Sequence, residues 1–253
     1  MNIISTRISS PPRLLVYGPE GVGKSTFGAY ARAAVIVQTE DGLEQIDAQA
    51  FPLATRISHV TDALSELAAA QHDYRTVVID TIDSLERLIH ADVCEDFGVQ
   101  SIEKADGGYG KGYKYALIRW RKILDLLSVL RAERGMCVLL LAHGRVEKFE
   151  DPEGPIYDRF VPRIDKNACA LVTEWVDLVG YAHRRVVVKR EQAGFRTRGV
   201  AKAVGADGGE RLLRCEGGPW AVAKNRYGIT CELPLQWDAL ETEIRKSFIR
   251  GAQ

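Results

Sequence analysis

The sequence lacks any closely spaced pair of cysteines. Its five cysteines, at positions 94, 137, 169, 215 and 231, form no C-x-x-C motif. Cysteine-based zinc sites need such spacing, and disulfide-dependent folds need a cysteine-dense chain. The pattern therefore excludes both as the basis of the fold, and we expect a reducing, cytoplasmic setting.

The sequence also lacks net charge and long apolar runs. Lys+Arg and Asp+Glu number 34 each, so the formal net charge is zero and any nucleic-acid contact needs a local basic patch. No apolar run approaches the roughly 18 residues of a membrane span, and the first residues contain no apolar signal-peptide core. We therefore expect no membrane partner. At 46% hydrophobic residues over 253 positions, the composition is that of an ordinary globular protein.

What is present is a glycine-rich pattern, G-x-x-x-x-G-K-[ST], near the start of the chain. Its residues are Gly18, Pro19, Glu20, Gly21, Val22, Gly23, Lys24, Ser25 and Thr26. An apolar strand precedes it and a helical sequence follows it, which is the context that a phosphate-binding loop (P-loop) requires. Glycine lets the backbone turn its N–H groups onto phosphate oxygens, and the start of the helix favours an anion. Lys24 is predicted to reach the β- and γ-phosphates of ATP, and Ser25 to ligate Mg²⁺. The alternative is a glycine-rich turn that matches by chance.

Acidic residues follow two of the predicted strands. Residues 33–37 form a second buried strand, which we place beside the P-loop strand, and Glu40 and Asp41 follow it. Either acid could orient and deprotonate a water molecule, although Asp41 could instead cap a helix. Residues 76–80 form a β-branched strand that ends in Asp80, the pattern of an acid delivered to a Mg²⁺ site. Asp83 is a second candidate.

Two segments combine glycine or proline with basic and aromatic residues. We expect residues 105–115 to form a mobile loop without regular structure before a helix at 116–134, and residues 146–166 to form a long polar connection without periodicity. Rings that stack on bases and cations that track phosphates suit single-stranded nucleic acid. The candidates are Tyr109, Lys111, Lys114, Lys148, Phe149, Arg159, Phe160 and Arg163. Solvated surface loops are the alternative.

The remaining pattern predicts an α/β fold with a mostly parallel sheet flanked by helices. The most apolar strand, residues 136–142, ends at His143, whose side chain could sense the γ-phosphate. Residues 186–190 and 195–202 are predicted to add antiparallel hairpin strands to the sheet, and residues 237–248 a closing helix. We divide the single domain, 1–253, into a lead-in (1–12), a P-loop core (13–183) and a hairpin extension with the C-terminal helix (184–253).

This order of motifs resembles the RecA-like core ATPases. More closely, it is similar to the compact phage-encoded RecA-like proteins of single-strand annealing and recombination, which share Gly-Tyr-Gly-Lys-Gly-Tyr before a long helix and Lys-Asn-Arg-Tyr-Gly near the end. The resemblance implies a RecA-like ATPase, DNA-stimulated, in the host cytoplasm if the chain is phage-encoded. It implies Glu40 as the base that activates water and His143 as the link between γ-phosphate and a DNA loop. Lys224 and Arg226 would reach a neighbouring subunit's phosphate.

The implied partners are single-stranded DNA, further copies of the chain in a ring or filament with ATP at the subunit interfaces, and a single-strand-binding protein. There is no room for the DNA-binding appendages of full-length RecA, which favours annealing over strand exchange. Two alternatives from other classes are a nucleotide-gated scaffold without intrinsic DNA affinity, consistent with the zero net charge, and a helicase-loader-like ATPase.

Overall fold

The computed structural model describes residues 10–151, 154–193, 196–203 and 209–250. Most of the predicted lead-in, residues 1–9, lies outside these ranges. The strands are β1 (Arg13–Gly18), β2 (Ala34–Gln38), β3 (Thr76–Asp80), β4 (Cys137–Phe149), β5 (Tyr157–Pro162), β6 (Leu178–Arg184), β7 (Val186–Ala193), β8 (Arg196–Ala203), β9 (Arg211–Arg214), β10 (Lys224–Asn225) and β11 (Leu233–Pro234). The α-helices are α1 (Lys24–Ala29), α2 (Ile57–Ala69), α3 (Ile82–Asp96), α4 (Lys111–Glu133), α5 (Lys166–Trp175) and α6 (Trp237–Arg250).

The main sheet has the strand order β11-β9-β6-β1-β4-β3-β2. The five strands from β6 to β2 are parallel, whereas β9, β10 and β11 near the C-terminus run antiparallel to their neighbours. The predicted α/β class, with a mostly parallel sheet and antiparallel strands towards the C-terminus, is confirmed. Because β4 lies between β1 and β3, the P-loop strand and the Asp80 strand are not neighbours.

The parallel strands are apolar because both faces of the sheet are covered. On one face, α2, α3, α4 and α5 pack around residues such as Leu64, Ile89 and Trp120. On the other face, α1 and α6 pack together, with the rings of Phe27 and Trp237 5.8 Å apart. Burial on both faces removes the polar alternation that a half-exposed strand would show.

The structure corrects the prediction for residues 111–115, which are helical, whereas residues 105–110 have irregular backbone as predicted. A 3₁₀ segment, Ile102–Gly107, is kinked at Ala105 and Asp106, whose backbone is not helical. Helix α4 begins at Lys111 rather than at residue 116. Gly112 lies in the first turn of α4 and packs against Ile102. A Cβ atom at this position would stand 2.0 Å from the carbonyl oxygen of Ile102, so the close contact requires glycine. The glycine therefore permits close packing of two helices and does not interrupt regular structure.

Two further predictions about strands were wrong. Residues 146–166 are not a connection without periodicity, because β4 continues to Phe149 and pairs antiparallel with β5, from Gly144 opposite Pro162 to Phe149 opposite Tyr157. The predicted hairpin is present as β7 and β8, but these strands pair with each other in a separate two-stranded sheet. The antiparallel extension of the main sheet comes instead from β9, β10 and β11.

The helices were compared with the requirements of a membrane span. Across the described residues, none of them combines the length and the apolar character that crossing a bilayer requires.

Candidate functional site

Three strands bring functional residues to one edge of the sheet. Gly18 at the end of β1 lies opposite His143 in β4, and Asp80 at the end of β3 lies opposite Leu141 of the same strand. Because β4 separates the other two strands, His143 stands between the P-loop and Asp80. The carboxyl ends of parallel strands are the usual ligand-binding edge of such sheets.

The P-loop has the expected strand–turn–helix form. Gly21 and Gly23 have φ angles of 68° and 103°, which favour glycine, and Gly23 caps the start of α1. The buried Lys24 extends its Nζ back along the loop, donating to the carbonyl oxygens of Gly18 at 3.1 Å and Pro19 at 2.9 Å. Burial lowers the pKa of Lys24, and the nearby Asp80 partly opposes that shift. The ammonium group is therefore held within the loop whose backbone would bind the phosphates.

Asp80 and Ser25 form a hydrogen-bonded pair beside Lys24. Asp80 is only 5% exposed; burial raises its pKa, and the hydrogen bond from Ser25 opposes the rise. A carboxylate and a hydroxyl are the hard oxygen donors that Mg²⁺ prefers. This donor set fits the predicted ion, so Ser25 and Asp80 are the residues that would hold it.

Glu40 enters the cleft from β2, but the position of β2 differs from the prediction. β2 pairs with β3 at the sheet's end and is not beside β1. Glu40 nevertheless reaches the site because its Oε2 accepts hydrogen bonds from the hydroxyls of Thr81 at 2.9 Å and Ser84 at 3.1 Å. Asp41 caps no helix, since α2 starts only at Ile57. Glu40 and Asp41 line, with Lys24 and Asp80, a cleft of about 360 Å³.

His143, Asp83 and Arg163 form a charged cluster under the cleft. Asp83 accepts from the backbone N–H of His143 at 2.9 Å, pairs with His143 Nδ1 at 3.0 Å, and accepts from Arg163 at 3.0 Å. Burial alone would raise the pKa of Asp83, but the hydrogen bonds from His143 and Arg163 outweigh it and lower that pKa. Arg163 also donates to Glu20 of the P-loop at 3.1 Å.

Glu40, Asp83 and His143 bring one ligand-type atom each to within 4.8 Å of one another. This group does not fit Mg²⁺. Both oxygens of Asp83 already accept hydrogen bonds, the guanidinium of Arg163 repels a cation, and imidazole is a poor magnesium ligand. The arrangement is a hydrogen-bond network that fixes His143 and Asp83, and Glu40, Asp41 and Asp80 are the acids that line the cleft.

The predicted nucleic-acid residues fall in two places. In and before α4, Tyr109 is fully exposed, Lys114 is exposed, and Lys111 pairs with Asp106 at 3.5 Å. On the β4–β5 hairpin, the guanidinium of Arg159 lies 4.0 Å from the ring centre of Phe149.

The other hairpin candidates are exposed to different degrees. Phe160 stacks on Tyr181 at 4.8 Å, and Lys148 is exposed. Arg163 belongs to the Asp83 cluster. The role of these residues in binding nucleic acid stays a prediction.

Lys224 and Arg226 lie near the amino-terminal ends of the parallel strands, at the end of the sheet opposite the P-loop. Lys224 pairs with Val179 in β6 and donates to the carbonyl oxygens of Thr173 and Glu174 at the end of α5. Arg226 pairs with the buried Asp177 at 3.0 Å. Within one chain the two cations therefore do not reach the P-loop, and their role towards a neighbouring subunit stays a prediction.

Sequence reasoning missed three side chains of the site. Thr81 and Ser84 hold Glu40, and Arg211 at the start of β9 lines the cleft. The Thr-x-x-Ser spacing directly after Asp80 offered a signal for the first two, because Thr81 also caps α3. Arg211 lies far along the chain from the P-loop, and no local pattern marks it.

The fold and the site define a P-loop ATPase. The family model AAA_24, described as an AAA domain, matches residues 10–227, and the chain belongs to this family. A relative is the SPbeta prophage-derived uncharacterized protein YorG of Bacillus subtilis (strain 168), which is 27% identical over 172 residues. The match covers 66% of this chain and 49% of that protein, so the chain matches about half of the relative's length. These similarities support the P-loop ATPase class; the narrower RecA-like assignment stays a prediction.

Proposed function

We propose that this protein is a RecA-like, Mg²⁺-dependent ATPase that hydrolyses ATP to ADP and phosphate. The observation that carries the proposal is the position of Glu40, a carboxylate oriented by Thr81 and Ser84 at the mouth of the P-loop cleft. An oriented base within reach of the γ-phosphate is what hydrolysis adds to simple nucleotide binding.

The residues divide the chemistry between them. Lys24 and the P-loop amides would bind the phosphates, and Ser25 and Asp80 would hold Mg²⁺, which would supply positive charge to the phosphate oxygens. Glu40 takes a proton from water as the water oxygen bonds to the γ-phosphorus and the bond to ADP breaks. His143 Nδ1 lies 3.7 Å from Glu40 Oε2. His143 is therefore close enough to interact with the carboxylate that we assign as the base.

Glu40→Gln tests this assignment. The amide keeps the shape of the side chain but cannot accept the proton, so ATP binding should persist while hydrolysis falls by about two to four orders of magnitude. Asp41→Asn is the matched control, because Asp41 lines the same cleft and caps no helix. Normal hydrolysis by Glu40→Gln, or an equal loss in Asp41→Asn, would show that Glu40 is not the base.

We further propose that the ATPase assembles on single-stranded DNA as a homo-oligomer and promotes annealing or recombination in a phage context. The name of the relative, a prophage-derived protein, supports the phage setting and hence the host cytoplasm. The fully exposed ring of Tyr109 and the exposed Lys114, five positions along the chain, support a surface that offers a base a ring to stack on and a phosphate a cation. The hairpin supports it less, because Glu147 pairs with both Arg145 and Arg159.

Fluorescence anisotropy with labelled single-stranded and duplex oligonucleotides tests DNA binding, with and without ATP and over a range of salt. Lys114→Gln should weaken single-strand binding and lower the salt slope by about 0.7. Tyr109→Ala should weaken binding with little change in slope, because stacking releases no counterions. Wild-type protein that binds no single strands at low salt would favour a nucleotide-gated scaffold instead.

A further inference from the structure

Two arginines approach the P-loop from β6 and β9. β6 is the neighbour of β1, and its last residue, Arg184, lies opposite Arg211 in the antiparallel pair with β9. Arg184 donates to the carbonyl oxygen of Gly21 at 3.1 Å. The carbonyl oxygen of Arg211 accepts from the N–H of Leu235 at 2.9 Å, which fixes its backbone. The register of these strands therefore delivers Arg211 to the phosphate-binding end of the sheet.

The side chain of Arg211 rests against Gly23. A Cβ atom at Gly23 would lie 2.7 Å from one terminal nitrogen of Arg211 and 3.6 Å from both its Cδ and Cζ atoms. The guanidinium therefore packs directly against the backbone of the P-loop. Gly23 has a positive φ at the start of α1, and Arg211 lies against it.

The charge of Arg211 is unpaired among the described residues. Its guanidinium has no carboxylate within 4.0 Å in that part of the chain, whereas Arg163 pairs with Asp83 and Glu20, and Arg226 pairs with Asp177. An exposed guanidinium that lies against a phosphate-binding loop, with no ion pair to a carboxylate of the described residues, is available to an anionic ligand. Its fork of N–H donors matches two phosphate oxygens at once.

The position of Arg211 indicates which phosphates it meets. It lines the cleft that contains Lys24, Asp80 and Glu40. It also lines a neighbouring groove of about 370 Å³, which contains Thr26, Tyr30 and Asp238. It therefore lies beside Gly23 where these two spaces adjoin. Because P-loop amides cradle the α- and β-phosphates, an arginine that contacts Gly23 of that loop is placed next to those two phosphates.

We propose that Arg211 is a nucleotide-binding residue supplied by the same chain, which binds the α- and β-phosphates shared by ATP and ADP. The inference rests on the proposed ATPase function and adds to it a product-binding role. Such a residue contributes equally to ATP and ADP affinity, because the groups that it contacts do not change during hydrolysis. An arginine that contacted the γ-phosphate would instead act on the rate of the chemical step.

Calorimetric titration of wild-type protein and Arg211→Ala with MgADP, together with steady-state ATP hydrolysis, tests the proposal. We expect a tenfold to hundredfold weaker affinity for ADP, of the order of one lost charged hydrogen-bonding group. The KM for ATP should rise by a similar factor, with kcat changed less than about threefold. Arg211→Lys should recover part of the affinity through its charge. Unchanged ADP affinity in Arg211→Ala, or a loss confined to kcat, would overturn the assignment.

Arg214→Ala is the matched control from the same strand. Arg214 pairs with Glu232 and lies 4.2 Å from the ring centre of Trp220, and it does not line the nucleotide cleft. It should leave ADP affinity unchanged, and an equal loss there would also contradict the proposal. Wild-type protein that binds neither ADP nor ATP would refute the ATPase function itself, a result distinct from equal binding by wild type and Arg211→Ala.

Discussion

Asp83→Asn should destabilise the protein because Asp83 is the centre of a buried charge cluster. Its side chain is 4% exposed and accepts from the backbone and the ring of His143 and from Arg163. An asparagine keeps one acceptor oxygen but removes the charge and turns a donor towards other donors. Breaking a buried pair costs about 3–5 kcal/mol. Arg163 is 43% exposed and can regain water, so we expect about 2–3 kcal/mol.

Urea unfolding at neutral pH, with a thermal scan as a second measurement, gives this free energy. The midpoint temperature should fall by about 5–10 °C for a chain of this size. The matched control is Asp92→Asn in the same helix, α3. Asp92 pairs with Arg119 at 3.1 Å but is 33% exposed, so its loss should cost less than about 1 kcal/mol.

The pH dependence provides a second check. The pKa of Asp83 is lower in the folded protein than in the unfolded chain, so its stabilisation is complete above the unfolded value of about 4. It is lost as the pH falls from there towards the folded value. The deficit of Asp83→Asn should therefore be equal at pH 7 and pH 5 and smaller below pH 4. An unchanged urea midpoint at pH 7, or a deficit that grows on acidification, would refute the reasoning.

Three further changes have defined outcomes. Lys24→Ala should abolish ATP binding in a calorimetric titration, because it removes the ammonium group held inside the P-loop; unchanged affinity would contradict the phosphate site. Asp80→Asn should weaken nucleotide binding in the presence of Mg²⁺ but not with EDTA, and an equal loss in both conditions would argue against a magnesium ligand. Glu86 has a pKa raised to about 7 by burial, so its buried carboxyl favours the protonated form and stability should fall as the pH rises from about 4.5 to 7. Glu86→Gln keeps an acceptor for the N–H of Asp165 and should be more stable than wild type at pH 8, by up to about 3 kcal/mol. An equal free energy of urea unfolding for the two proteins at pH 8 would show that ionisation of Glu86 does not destabilise the fold.

The elements that sequence reasoning predicted well are those with a strong local pattern. The P-loop combines a strand, fixed glycines and a lysine within one short segment. The strand ending in Asp80 was found because burial on both faces demands an unbroken apolar run. Both features depend on neighbours in the chain, so the sequence displays them directly.

The elements that were missed depend on contacts between distant segments. α4 begins earlier than expected because Gly112 packs against the carbonyl of Ile102, a contact that helix propensity does not include. The second half of β4, residues 144–149, does not contribute buried residues to the core. Its pairing with β5 therefore produces only a weak alternation of apolar and polar residues in the sequence. The strand order, which separates β2 from β1, is likewise invisible to a local pattern.

The sequence by itself therefore determined that the chain binds phosphate groups at a P-loop, and that Asp80 accompanies it, because glycine geometry and strand burial are local properties. Only the tertiary structure decided which charged side chains surround that loop. Thr81 and Ser84 donate hydrogen bonds to Glu40, and His143 and Arg163 donate to Asp83. The β6–β9 register brings in Arg211. Charged side chains reach their partners across the fold, and the folded sheet sets those distances.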